Sequence, residues 1–169
     1  MRKFRILLLI LASAACTLGA QAAGPEIGTL MERARDLFDY GRWSDARHEF
    51  LRAKAALTPS DRLLAQEVEF YLAACAVELG SADAEGALRE FDERYPGSVY
   101  ANDVRFALGS FYCSAGNMKK AREAFEKTDY RALSAPRREQ YDIRMGYVEF
   151  GDGNYAKAYG YFDRIGSRS

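Results

Sequence analysis

Between Tyr100 and Ser114 the apolar residues recur at helical spacing, with Leu108, Gly109 and Tyr112 on one face. Gly116 and Asn117 break the pattern. It resumes from Met118 to Lys127, where Ala121 and Phe125 stand at i and i+4. The spacing predicts two helices joined by a tight turn, with the alanine and the phenylalanine facing inward. The same wording recurs along the chain: "GRWSDARHEF" from Gly41, "GNMKKAREAF" from Gly116 and "GNYAKAYGYF" from Gly153. Each reads Gly, four residues, Ala, three residues, Phe. The alanines Ala46, Ala87, Ala121 and Ala158 and the phenylalanines Phe50, Phe91, Phe125 and Phe162 both follow intervals of 41, 34 and 37 residues. A unit repeating at this length is a helix pair too small to bury its own apolar face, so the units must stack. The glycine permits the turn. The small alanine, opposite a small residue such as Gly109, lets the two helices approach, and the phenylalanine fills the space between repeats. Thr58-Pro59-Ser60, Pro96-Gly97-Ser98 and Ser134-Ala135-Pro136 fall between pairs, where Pro suits a first helical turn and Ser or Thr can cap it. The second unit departs from the pattern: its turn, "GSADAEG", lacks a glycine at the regular offset, and Cys75 stands at the small position of its first helix.

These residues resemble the tetratricopeptide repeat (TPR) superfamily over about Leu30 to Ile165. Repeat three carries Leu108, Gly109, Tyr112, Gly116, Ala121 and Phe125 in the family's places. Repeat one matches through Ala34, Gly41, Trp43, Ala46, Phe50 and Ala53. Repeat four matches through Gly146, Gly153, Tyr155, Ala158 and Phe162, with Glu149 where a Tyr is usual. The stretch "FDERYPGSVYANDVRFALGSFY" looks like bacterial envelope TPR proteins, many of which begin with a signal peptide. The resemblance implies an all-α, right-handed α–α solenoid of about four TPR-like helix pairs, acting as a protein-interaction scaffold. Carrying the family's groove positions onto this chain gives Met31, Arg35, Phe38 and Asp39 in repeat one. Repeat three gives Phe106, Ser110, Cys113 and Ser114, and repeat four gives Ile143, Tyr147 and Phe150. Against a partner-binding role stands a simpler one, in which Phe106 and Phe150 pack between neighbouring helices.

Composition adds a compartment. "MRKFR" is basic, "ILLLILASAA" is an apolar run too short to span a bilayer as a mature helix, and Ala20-Gln21-Ala22 fits a small-x-small cleavage site. Residues 1–22 are read as a signal peptide, 23–29 as a linker, 30–166 as one repeat domain and 167–169 as a tail. A competing reading makes Cys16 in "ASAAC" a lipidated N-terminus, but Ser13 stands where the usual lipobox has Leu, so a soluble periplasmic or outer-envelope protein is preferred. The full chain has 24 basic and 24 acidic residues. The leader removes Arg2, Lys3 and Arg5 and no acid, leaving a net charge of about −3. That balance argues against a nucleic-acid partner. Cys75 and Cys113 then remain, which is no disulfide framework, and are read as small buried apolar groups, with a disulfide between them open in an oxidising compartment.

Catalytic chemistry is not supported by the sequence. The single histidine, His48, lies between Arg47 and Glu49, a pattern read as a solvated helix face. No phosphate loop, nucleophile elbow or Cys-x-x-Cys pair is present. Neither an enzyme nor a cofactor is expected; a protein or peptide partner is. The last helix, "YAKAYGYFDRIG", poses a separate problem. Tyr155, Tyr159, Tyr161 and Phe162 cannot all point inward, so an apolar end face is expected. It calls for a further repeat of a longer chain, which is the preferred reading, a second copy, or a docked partner.

Overall fold

The computed structural model describes residues 23–166; the expected leader, Cys16 and the 167–169 tail lie outside the described residues. Eight α-helices follow one another: α1 (Ala23–Asp39), α2 (Trp43–Ala56), α3 (Arg62–Glu78), α4 (Ala84–Arg94), α5 (Ala101–Ser114), α6 (Met118–Glu126), α7 (Ala135–Gly151) and α8 (Tyr155–Gly166). A short 3-10 turn at Tyr130–Ala132 precedes α7. Among the described residues there is no strand. Where one repeat domain was expected, contacts gather into two compact units that divide inside α3, between Val68 and Glu69.

In the first unit α1 folds back on α2. The expected linker at 23–29 is instead the start of α1. Ile27, Leu30, Met31 and Ala34, spaced i, i+3, i+4 and i+7, are all buried, and that stripe makes the segment helical. Met31 is therefore a core residue and not a groove residue. Ala46, Phe50 and Ala53 form the facing stripe of α2. Glu49, read as part of a solvated face, is buried: Arg52 donates to it at 2.9 Å, and Arg33 lies 3.6 Å from it.

In the second unit α5 packs on α4 and α6, and α7 packs on α5, α6 and α8. Leu88, Phe91, Val104, Phe125, Met145 and Val148 run through one apolar core. The helix limits follow the sequence closely. The helices of repeat three begin and end within one residue of their expected bounds.

The turn glycines share one geometry. Gly41, Gly80, Gly116 and Gly153 all have φ between 61° and 76°. Each glycine amide bonds the carbonyl three residues back, and the next amide bonds the carbonyl five back, as in Asn117 to Tyr112 at 2.8 Å. This is the Schellman ending of a helix, which needs a left-handed residue. Repeat two is thus corrected: Gly80 supplies its turn, and two extra residues precede α4. The buried face of α4 is Ala84, Leu88 and Phe91, with Ala87 only half-buried.

A second regularity survives that insertion. Ala34, Cys75, Gly109 and Gly146 each precede their phenylalanine by 16 residues. At Gly109 a Cβ would lie 2.5 Å from the Phe125 ring, and one at Gly146 would meet Phe162 as closely. The glycine therefore makes room for the phenylalanine ring as well as standing opposite the buried alanine that the sequence paired with it. The junctions are held locally: Thr58 Oγ1 donates to the Asp61 carboxylate at 2.6 Å, and Pro136 sits in the first turn of α7, while the Ser134 side chain makes no capping bond.

Candidate interaction surface

The last hairpin carries two outward ridges. On α7, Ile143, Tyr147 and Phe150 are spaced i, i+4 and i+7; on α8, Tyr155, Tyr159 and Phe162 repeat that spacing. The turn at Gly153 sets the ridges side by side. Tyr147 meets the Phe162 ring edge-on at 5.5 Å, and Phe150 meets Tyr155 at 5.3 Å. Ile143 is 36% exposed, Phe150 57%, Tyr147 62%, Tyr155 65% and Tyr159 71%. No ridge position carries a charge. Tyr161, expected on this end face, turns inward instead. It is half-buried, 6.4 Å from Tyr141, with the Arg164 guanidinium 4.9 Å over its ring. Burial pushes its hydroxyl up, with Arg164 opposing. Phe162 completes the ridge in its place.

Counting back 37 residues lands on Phe106, Ser110 and Cys113 of α5 and on Met118, Arg122 and Phe125 of α6. There the two phenylalanine positions are covered and the other four are half-buried. Phe106 and Phe125 are buried, 5.9 Å apart. The Tyr141 ring of α7 lies 5.1 Å from Phe125, and its hydroxyl donates to the Phe125 carbonyl at 3.2 Å. Arg122 is paired by Glu149 of α7 and by Asp152 just past its end. Helix α7 thus covers the phenylalanine positions of the repeat three face and pairs Arg122, and among the described residues no helix does so for repeat four.

Of the groove candidates, Arg35, Phe38 and Asp39 belong to the first unit. Arg35 Nε donates to Glu67 at 2.7 Å, Phe38 is half-buried and Asp39 is exposed. Phe106 is not presented to solvent. It packs against Phe125 under the Arg137 guanidinium, whereas Phe150 stays exposed. Ser110 accepts through its carbonyl from Ser114 and, at 3.4 Å, from Arg144; its buried Oγ has no partner. Beside it a cleft of about 260 Å³ is lined by Cys113, Ser114, Met118, Arg144 and Tyr147. Burial pushes the Cys113 thiol up, with Arg144 opposing. The repeat resemblance placed Cys113, Ser114 and Tyr147 at groove positions; Met118 and Arg144 were missed, because one begins a helix B and the other reads as solvated charge.

A larger cleft of about 360 Å³ between α4, α5 and α6 is lined by groups that satisfy one another. Arg105 donates to Asp92 at 2.7 Å, and Glu85 accepts from Lys120 at 3.0 Å and Tyr112 at 2.9 Å. Lys120, then Tyr112, hold the Glu85 carboxyl low; burial, then Glu85, push Tyr112 up to about 12. Two buried acids also escaped the sequence reading. Asp142 accepts from Tyr130 at 2.7 Å and Arg164 at 3.3 Å, and Glu149 accepts from Arg122 and Asn154. A charged letter at a core position carries no sign of burial in its own spacing.

His48 is exposed. Among the described residues no three His, Cys, Asp or Glu side chains converge as a metal site, Cys75 and Cys113 form no disulfide, and no helix is long and apolar enough to cross a membrane. No family model, curated protein or solved structure matches this chain.

Proposed function

We propose that this chain is a non-catalytic interaction module: a right-handed solenoid of TPR-like helix pairs, exported by a cleavable signal peptide to the periplasm or outer envelope of a bacterium. The observation that carries the reading is the aromatic face of α7 and α8, five of whose six ridge residues stand more than a third exposed while each matching position of repeat three is buried or half-buried. Exposed apolar surface of this extent marks an interaction site. The four Schellman turns and the 16-residue spacing from small residue to phenylalanine support the repeat assignment. The cleft beside Arg144 and Tyr147 gives a second place where an extended segment could anchor. A structural reading, in which this is the N-terminal part of a longer TPR protein, is favoured by the same uncovered face.

The test is site-specific photo-crosslinking in the native envelope from positions 35, 147 and 159, reading the crosslinked mass and the intact mass and N-terminus of the chain. Crosslinks to a discrete protein at any of these positions support the module. Three silent positions would sink it. A start at Ala23 supports the signal peptide, a retained leader removes it, and a lipidated Cys16 moves the protein to a membrane anchor.

A further inference from the structure

We infer that the α7–α8 aromatic face joins two copies of this chain, the two hairpins closing into a four-helix contact. This names the occupant of the surface proposed above and rests on that reading. The geometry comes first. A helical hairpin that leaves an apolar ridge on each helix, with the ridges in ring contact, is half of a four-helix core. A second hairpin with the same ridges fills the other half.

Charge selects the partner. The covered face of repeat three is fixed by ion pairs: Arg122 with Glu149 and Asp152, and Asp103 with Arg137. In repeat four the position of Arg122 is Tyr159 and that of Asp103 is Gln140. A further helix resembling α7 would find neither of its charged partners here. On the ridges a copy of the same face would meet rings and one isoleucine, with Arg144 at the edge beside Tyr147, so the ridges themselves meet without like charges, as an isologous contact requires. Tyrosine and phenylalanine rings also pair well edge-to-face with their own kind.

Area is sufficient. The four exposed rings, at 57–71% exposure, present on the order of 500 Å² per copy. Two copies together withdraw roughly 1,000 Å², the lower edge of a specific interface. The dimer is therefore expected to dissociate on dilution.

Sedimentation of the chain purified from its own cells, over a concentration series, tests this. The expected result is an apparent mass that doubles with concentration. Tyr147→Arg and Tyr159→Arg should each hold it at the monomer, with helix content unchanged. Val99→Arg, at an 86% exposed site in the connection between α4 and α5, should leave the doubling intact. Should an arginine variant lose helix, Tyr159→Ser removes the ring without adding charge and is read in the same way. A wild type that stays monomeric throughout overturns the dimer, as does doubling that survives both arginine variants or is lost in Val99→Arg. Monomeric wild type with a crosslink from position 147 to another protein keeps the interaction surface and gives it a different occupant. Monomeric wild type with silent positions ends both readings. An intact mass beyond that of the 169 residues, with the added segment shielding Tyr159 from labelling, assigns the face to a further helix of the same chain and also overturns the dimer.

Discussion

At the scale of single residues, the small positions opposite the phenylalanines decide how closely two helices pack. Gly109 and Gly146 have the same steric relation to a ring, but the rings differ in freedom. Phe125 is fully buried among Phe106, Tyr141 and the rest of the core, whereas Phe162 is half-buried beside an open face. A methyl at Gly109 has nowhere to send the ring. Gly109→Ala is expected to destabilise by about 1–3 kcal/mol, as overpacking of a filled core does. Gly146→Ala should cost less than about 1 kcal/mol, because the Phe162 ring can swing outward. Urea denaturation of both variants checks this, and equal costs would mean that Phe162 is as confined as Phe125. The sequence pointed to Gly109 but did not name Phe125 as the side chain nearest to it. Letters at fixed offsets show that two positions are coupled, not which side chain takes the room between them.

At the scale of elements, helix existence and turn position were legible where the Gly-to-Phe count held, in repeats one, three and four. Repeat two hid its turn because two residues separate the Gly80 Schellman ending from the expected start of α4. Its small residue was still legible, since Cys75 stands 16 residues before Phe91. The 23–29 segment read as a linker because its stripe begins before the first repeat letter, yet Ile27 and Leu30 bury it as α1. Ion pairs between elements were not legible, since charged letters average out as solvated faces. The one that fixes α7 on α6 has a measurable weight. Arg122 is one-fifth exposed and Glu149 nearly sealed, so Arg122→Met leaves a buried carboxylate with Asn154 as its remaining partner. The expected cost is roughly 3 kcal/mol. Adding Glu149→Leu should bring stability back to within about 1 kcal/mol of the parent, because an apolar pair of similar volume replaces a buried ion pair at little loss. A double-mutant cycle measures the difference, and simple additivity would show that the two groups do not support each other.

At the scale of the whole molecule, the two compact units carry different reporters. Trp43, the single tryptophan, lies on α2 in the first unit; Tyr112 and Tyr141 lie in the second. Burial, with Glu85 next for Tyr112 and Tyr161 next for Tyr141, pushes both hydroxyls up to about 12. An unfolded tyrosine ionises near 10. The folded state therefore holds these two protons more tightly than the unfolded chain does. Their contribution to stability is complete below about pH 10 and is lost as pH rises through the folded values near 12. The second unit should accordingly melt on the alkaline side, with late tyrosinate absorbance and helix loss rising together, and the change in Trp43 emission should follow. Tyr141→Phe keeps the ring against Phe125 but deletes one ionisation, so it should flatten that alkaline limb at the cost of the bond to the Phe125 carbonyl. Tyrosines that all ionise near 10 with the helix signal intact would remove the buried-hydroxyl account. A Trp43 change coincident with the tyrosinate step would mean that α3 transmits unfolding and that the two units melt as one.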